Sequence, residues 1–155
     1  MKTILLLISI FFSSPAFALT YEVIGACSEK PEFQGAYQLP KINQNVGLTS
    51  MEIFDRDKIP YIGAERGMNS ILNTPTGEDS IEIISREEMY AYGWCFEVDG
   101  KQPEKMPDEV FLQGTEHLKW FYASSHYKRG EWLSFCDPAY FRKPKMVCEK
   151  DPASR

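Results

Sequence analysis

Residues 93–100 read GWCFEVDG, and this stretch decides the fold. Its large apolar side chains at Trp94, Phe96 and Val98 alternate with other residues, and this period of two predicts a β-strand. The dipeptide Asp99-Gly100 that follows is typical of a tight turn between antiparallel strands. The protein is therefore expected to contain a central aromatic strand that ends in a hairpin turn.

Further strands are predicted on both sides of this one. Residues 118–123, LKWFYA, form a strand-like run with three aromatic rings. Residues 127–135 hold Lys128-Arg129-Gly130 near their middle, which predicts a hairpin. Shorter strand-like segments lie at residues 21–24, 68–72, 81–84 and 110–112.

One short helix is predicted before residue 60. Thr49 and Glu52 have the spacing of a capping box, with Thr49 as the N-cap. Met51 and Phe54 would then face the core, and Pro60 would end the helix because it has no backbone N–H to donate. The sum of these elements predicts a single α+β domain with the helix on one face of a mixed sheet.

Three segments resemble, in the same order, the motifs of the transcobalamin-like C-terminal domain family. Residues 93–100 (GWCFEVDG) are similar to its G-W-x-(Y/F)-x-V-N-G strand and turn. Residues 118–122 (LKWFY) are similar to its I-x-W-x-Y strand, and residues 67–73 (GMNSILN) to its G-x-x-S-I-x-G strand. Asp99 stands where the family usually has Asn, and residues 113–116 (QGTE) replace the usual Gly-Asp turn.

This resemblance implies a β-grasp-like fold for residues 19–155. In transcobalamin, such a domain covers one face of cobalamin, and a larger helical barrel covers the other. A chain with one short helix cannot supply that barrel. We therefore expect no cofactor, and cobalamin, which enters through the resemblance only, is not an expected ligand.

Charge and the amino-terminal residues narrow the class of protein. The 155 residues have a formal net charge of −5. This acidic balance argues against a nucleic-acid partner, because phosphate needs basic residues. Lys2 precedes residues 4–12, which are all apolar except Ser9, and Ala16-Phe17-Ala18 resembles a cleavage site. Residues 1–18 are therefore predicted to be a signal peptide. We expect an exported protein, periplasmic or extracellular, without membrane insertion once the signal is removed.

The four cysteines, Cys27, Cys95, Cys136 and Cys148, favour two disulfides in an exported chain. Four cysteines allow three pairings, and the sequence does not choose among them. We favour Cys95–Cys136 with Cys27–Cys148, which would tie a central strand to the tail and then tie the two ends of the domain together. A zinc site is the weaker alternative, since no CxxC motif is present.

Aromatic residues crowd the second half of the chain, and Lys128 and Arg129 add a local basic turn. We interpret the protein as an exported, non-catalytic binding module that recognises a small ligand or an envelope protein through an aromatic hairpin face. The candidate ligand-binding residues are Trp94, Trp120, Tyr122, Tyr127 and Trp132. The alternative is that these rings pack inside the sheet.

Two rival functions remain open. An envelope hydrolase would use a His–carboxylate pair, either His117 with Glu116 or His126 with Glu131. An inhibitor-type protein would instead dock on a secreted enzyme. A metal site is not expected, because the nearby carboxylates of Glu52, Asp55 and Asp57 lack the pattern of a calcium loop and are explained by a solvated helix end.

Overall fold

The computed structural model describes residues 18–149, so nearly all of the predicted signal peptide lies outside the described residues. The strands are Leu19–Ile24 (β1), Phe33–Tyr37 (β2), Gln44–Asn45 (β3), Tyr61–Ala64 (β4), Gly67–Ile71 (β5), Ile81–Ser85 (β6), Glu88–Val98 (β7), Phe111–Leu112 (β8), His117–Lys128 (β9) and Glu131–Pro138 (β10). The helices are Val46–Asp57 (α1) and Lys145–Cys148 (α2). Within residues 18–149, the expected mixture of sheet and helix is confirmed, but with two α-helices rather than one.

The longest strand, β9, organises the main sheet. It pairs antiparallel with the whole of β7, from Val98 opposite Leu118 to Glu88 opposite Lys128. On its other side the first half of β9 lies parallel to β1 and the second half lies antiparallel to β10. The strand order is β2-β1-β9-β7-β6, with β10 beside β9. The two predicted turns are confirmed, and Asp99 and Arg129 have the positive φ values of 52° that they require.

The two faces of this sheet are covered differently. Alternation along β9 points Trp120 towards α1, where it joins Ile53, Phe54 and Phe96 in the main core. On the same face, Tyr122 packs beneath residues of α2. The opposite face carries a smaller cluster of Ile24, Phe121 and Ala123 next to the disulfide between Cys95 and Cys136.

Both favoured disulfide pairings are confirmed. Cys27 bonds to Cys148 with their Cα atoms 5.5 Å apart. Cys95 bonds to Cys136 with their Cα atoms 6.0 Å apart. The first bridge joins the two ends of the described chain, and the second joins β7 to β10 across β9. Within residues 18–149, neither helix has the length and apolarity needed to cross a bilayer.

The predicted start of α1 is wrong. The N-cap is Asn45, whose side chain accepts a hydrogen bond from the Leu48 N–H at 2.7 Å. Thr49 lies inside the helix, fully buried, and its hydroxyl has no hydrogen-bond partner. Helix α1 ends at Asp57, followed by Lys58 in the left-handed conformation. The capping-box spacing gave the wrong start because Asn45 and Thr49 are both residue types that cap helices well. Packing of the buried Val46 selects Asn45, so the N-cap lies four residues before the predicted cap position.

Asn45 and Thr49 make a matched pair that tests this assignment. Asn45→Ala is expected to lower the free energy of unfolding by about 1 kcal/mol, because the first turn of α1 loses its cap. Thr49→Val is expected to be neutral or stabilising by up to about 1 kcal/mol, since it removes a buried hydroxyl that makes no bond. Urea denaturation of both variants measures the difference, and a reversed order would restore Thr49 as the cap.

Candidate functional site

Two of the five predicted ligand-binding residues belong to the core. Trp120 is 2% exposed and Tyr122 is 0% exposed. The Trp120 indole N–H donates to the Ser50 hydroxyl of α1 at 2.8 Å. Both rings are buried because even-numbered positions in the middle of β9 point to the face that the helices cover. Neither ring lies on an exposed hairpin face, and their contact with a ligand stays a prediction.

Tyr127 and Trp132 lie on the surface, as an aromatic hairpin face requires. Their rings meet edge to face with centroids 5.3 Å apart, and Trp132 contacts Phe135 at 5.6 Å. Trp132 is 43% and Phe135 65% exposed. We call Tyr127, Trp132 and Phe135 the hairpin patch.

Trp94 lies half-buried beside a concave site. Its indole N–H donates to the Thr74 hydroxyl at 2.8 Å, and its ring contacts that of Tyr122 with centroids 5.4 Å apart. Both contacts hold the ring in one orientation, so its free surface forms a fixed wall. Of the five predicted residues, Trp94 and the buried Trp120 line this concave site.

The cavity, which we call the Trp94 cleft, has a volume of about 260 Å³. It lies between β5, β7 and the loop that follows the turn at Asp99-Gly100. Its lining residues are Arg66, Gly67, Met68, Asn69, Trp94, Cys95, Phe96, Gln102, Pro103, Lys105, Met106, Pro107, Trp120 and Cys136. No role was predicted from the sequence for the loop residues that line this cavity, which are Gln102, Pro103, Lys105, Met106 and Pro107.

The charge of the Trp94 cleft opposes that of the whole protein. Its lining includes two cations, Arg66 and Lys105, and no acidic residue, although the net charge of the chain is −5. Among residues 18–149, the ion-pair partner of Arg66 is Asp108, at a long distance of 3.6 Å. Apolar walls with a few charged groups at the mouth are typical of ligand sites, and here the charges favour an anion.

The two histidines have acidic partners, but not the predicted ones. The Nδ1 atom of His117 lies 2.9 Å from the Thr20 hydroxyl, and its Nε2 lies 3.4 Å from a carboxylate oxygen of Glu22. The Nε2 atom of His126 lies 2.9 Å from a carboxylate oxygen of Glu88. The pairs His117–Glu116 and His126–Glu131 are therefore wrong, because neighbours across the strands of a sheet are closer than neighbours along the chain.

An aromatic stack surrounds His126. Its ring lies parallel to that of Tyr90 with centroids 4.2 Å apart, and the Arg142 guanidinium lies 3.4 Å from the Tyr90 centroid. His126 and Arg142 are both too close to the Tyr90 ring to lie on the same face of it. The Tyr90 ring therefore lies between the imidazole and the guanidinium. The sequence carried no signal for this contact, since Arg142 lies in the tail.

Arg142 also closes a polar network on the helix-covered face. It reaches the carboxylate of Glu82 at 3.3 Å, and Glu82 accepts a hydrogen bond from the Tyr92 hydroxyl at 2.6 Å. The hydrogen bond from Tyr92 and the nearby Arg142 hold the pKa of Glu82 below its usual value. Burial and the bond to Glu82 raise the pKa of Tyr92 to about 12. The network thus fixes the tail segment to the sheet.

Glu116, predicted as a catalytic partner, anchors a turn. Its carboxylate accepts hydrogen bonds from the backbone N–H groups of Gln113, Gly114 and Thr115 at 2.6–3.0 Å. Burial acts to raise the pKa of Glu116, but these hydrogen bonds outweigh it and the pKa lies below its usual value. The residue holds residues 113–116 in place rather than acting on His117.

Neutralising Glu116 is expected to cost stability only at higher pH. Glu116→Gln should lower the free energy of unfolding at pH 7 by about 1 kcal/mol, because hydrogen bonds to a charged acceptor are lost. Since the folded pKa is depressed, this stabilisation is present above the unfolded pKa, about 4.3, and disappears as pH falls through the folded value. Urea midpoints at pH 7 and pH 3 check this, and an equal difference at both pH values would contradict it.

The carboxylates that could have bound a metal have protein partners instead. Glu52 accepts hydrogen bonds from the Tyr37 hydroxyl and the Gln44 amide, both at 2.6 Å. Asp57 bonds to Arg56 at 2.7 Å and accepts from the Tyr21 hydroxyl. Across residues 18–149, no three side chains of His, Cys, Asp or Glu converge as a metal site would need.

Comparisons with known proteins assign no family. No family model matches the chain, and a search of curated proteins found no match. A solved structure from Ruminococcus gnavus, described as a "putative metal binding protein", is similar with a TM-score of 0.39 and 14% sequence identity. The match covers 74% of this chain and 98% of that one. This level of similarity assigns neither a fold family nor a function.

Proposed function

We propose that the protein is an exported, non-catalytic binding module that takes an anionic ligand with an apolar part in the Trp94 cleft. The observation that carries this proposal is the lining of the cleft. Trp94, Phe96 and Met68 supply apolar walls, and Arg66 and Lys105 are its only charged residues. Such a site would bury the apolar part of a ligand and pair its charge at the mouth.

The fold supports membership of the β-grasp-like, transcobalamin-like class. The opening hairpin β1–β2 is followed by α1, and the later strand β9 lies parallel to β1. The three segments that carry the resemblance lie in or next to β5, β7 and β9. Phe96 contacts Trp120 with ring centroids 5.3 Å apart, so the two aromatic motifs pack together beside the cleft. Membership of the family stays a prediction.

Export is supported by the disulfides. Two disulfide bonds are typical of proteins from oxidising compartments. We infer that residues 1–18 direct the chain to the periplasm or the cell exterior. This inference also explains why a domain of modest size is tied together at both ends.

The hydrolase alternative would have to use a different site. His117 and His126 are absent from the lining of the Trp94 cleft. The serine closest to His126 along β9 on the same face, Ser124, is 2% exposed and donates to the Asp137 carbonyl at 3.4 Å. A buried hydroxyl that donates to a carbonyl is not poised to attack a substrate. These contacts favour binding over catalysis.

The hairpin patch is a second candidate surface, and its exposure favours it as a place for a partner protein. An inhibitor-type function would present Trp132 and Phe135 to a secreted enzyme. Because the patch and the Trp94 cleft share no residue, variants of each can be compared in one assay.

The test uses 8-anilinonaphthalene-1-sulfonate, a planar apolar anion, as the probe. The intact protein is expected to bind the dye in a saturable manner, with a rise in dye fluorescence. Arg66→Gln with Lys105→Gln is expected to weaken binding by about tenfold, since both cations of the cleft are lost. The matched control, Lys30→Gln with Lys41→Gln, removes the same charge from exposed positions and should bind normally.

Trp132→Ala separates the two surfaces. Binding that survives this change but not the loss of Arg66 and Lys105 supports the cleft. Binding that is lost only in Trp132→Ala would assign the ligand to the hairpin patch and overturn the cleft. A folded protein that binds no dye would also contradict the proposal.

A further inference from the structure

One stretch of the edge of β7 has no strand hydrogen-bonded to it, although β5 packs near β7. On the side away from β9, β6 pairs with β7 only as far as Ala91. At the other end of β7, Val98 pairs with Lys101 across the turn. Between these points, residues 92–97 have no strand partner on this side within the described chain. The edge is therefore open over the length of a short peptide.

The backbone groups of Trp94 and Phe96 point out of this open edge. The N–H and C=O groups of Val98 both bond to Lys101, at 2.9 and 3.1 Å, so they point away from β9. Backbone direction alternates along a strand, and the register of β7 on β9 is continuous over residues 88–98. Trp94 and Phe96 therefore point the same way as Val98, whereas Cys95 points towards β9.

The sequence explains why the neighbouring segments stop. Pro103 is the residue that would lie opposite Phe96 if the hairpin continued, and proline has no N–H to donate to a strand. At the other end, Gly77–Ser80 forms a 3-10 turn immediately before β6, so that segment turns away before it reaches Trp94. These two features stop the neighbouring segments from pairing with residues 92–97 of β7.

The Trp94 cleft lies along this edge. Its lining includes three consecutive residues of β7, Trp94, Cys95 and Phe96. A second cavity of about 500 Å³ continues along Tyr92, Gly93 and Trp94. The two cavities share Met68, Asn69 and Trp94, and together they follow the open stretch.

We propose that the ligand of the cleft is an extended peptide segment with an acidic residue, which adds to β7 as a further strand. This inference rests on the proposed function and specifies its ligand. The N–H and C=O groups of Trp94 and Phe96 would bond the peptide backbone, as in other cases of strand addition. Alternate peptide side chains would face the apolar wall, and an acidic one would meet Arg66 and Lys105.

A peptide explains two features that a compact anion leaves unused. The first is the pair of unpaired backbone positions spaced two residues apart, which matches the repeat of an extended chain. The second is the run of two cavities along one strand. The two cations, in a lining without acids, account for the acidic residue.

The test uses two soluble acetylated hexapeptides on the full mature chain. One has the order Thr-Val-Thr-Val-Asp-Asp, and the other has the reverse order, because the direction of pairing is open. In the free protein, NMR should show that the amide protons of Trp94 and Phe96 exchange faster than that of Cys95, which donates to β9. With one of the peptides bound, exchange at Trp94 and Phe96 should slow by at least about tenfold.

A peptide with N-methylated amides is the matched control, since it keeps every side chain and charge but loses its backbone donors. It is expected to bind at least about tenfold more weakly. Strand addition would be overturned if the N-methylated peptide bound as tightly as its unmodified counterpart. Slow exchange at Trp94 and Phe96 in the free protein would also overturn it. If neither peptide binds but the dye does, the peptide proposal fails and the cleft stands as a small-molecule site. Failure of both overturns the cleft itself.

Discussion

Replacing Cys27 and Cys148 with serine is expected to lower the free energy of unfolding by up to about 5 kcal/mol. The bridge spans a sequence separation of 121 residues. A cross-link that closes so long a loop removes many conformations from the unfolded chain, and this destabilises the unfolded state. The effect is comparable to the whole stability of many domains.

The second disulfide is the matched control. Cys95 and Cys136 are separated by 41 residues, so replacing this pair is expected to cost less, up to about 4 kcal/mol. Urea denaturation of both double variants under non-oxidising conditions compares them, and thermal midpoints serve if one variant is largely unfolded. A larger loss for Cys95 and Cys136 would show that packing over Phe121 outweighs the entropy of the unfolded chain.

Trp120→Ala is expected to lower the free energy of unfolding by about 3–5 kcal/mol, because it empties a buried site. Trp120 is 2% exposed, and its indole N–H bonds to Ser50, whose hydroxyl donates to the Val46 carbonyl at 2.6 Å. The ring thus joins the sheet to the first turns of α1. Its removal leaves a cavity and takes away the hydrogen bond that the Ser50 hydroxyl accepts.

Trp132→Ala provides the comparison on an exposed ring. Trp132 is 43% exposed, and its main contact is the edge of Tyr127. The expected loss is less than about 1 kcal/mol, since little buried surface changes. Urea midpoints for the two variants measure the contrast. Similar losses would show that the hairpin patch is part of the core rather than a free surface.

Local patterns predicted most of the strands. Alternation in residues 93–98 and the dipeptide Asp99-Gly100 identified one end of β7 and its turn, because both depend on neighbours along the chain. The hairpin at Arg129-Gly130 was found for the same reason. The start of α1 was missed, since Asn45 and Thr49 offer two local solutions and the packing of Val46 against the sheet selects the first.

The candidate site was predicted less well because it depends on contacts between distant residues. Five aromatic residues had similar local patterns, yet Tyr122 is buried, Trp132 is exposed and Trp94 lines a cleft. The sheet face and the neighbouring strands decide among these outcomes. The same cause explains why His126 meets Glu88 rather than Glu131.

The sequence by itself determined the class of secondary structure, the acidic charge and the presence of four cysteines suited to an oxidising compartment. These properties follow from composition and from short-range periodicity. The tertiary structure alone decided which strand edge stays open and which cations lie beside it. It decided these because Trp94, Arg66 and Lys105 come together only when β5, β7 and the loop after Gly100 pack around one cleft.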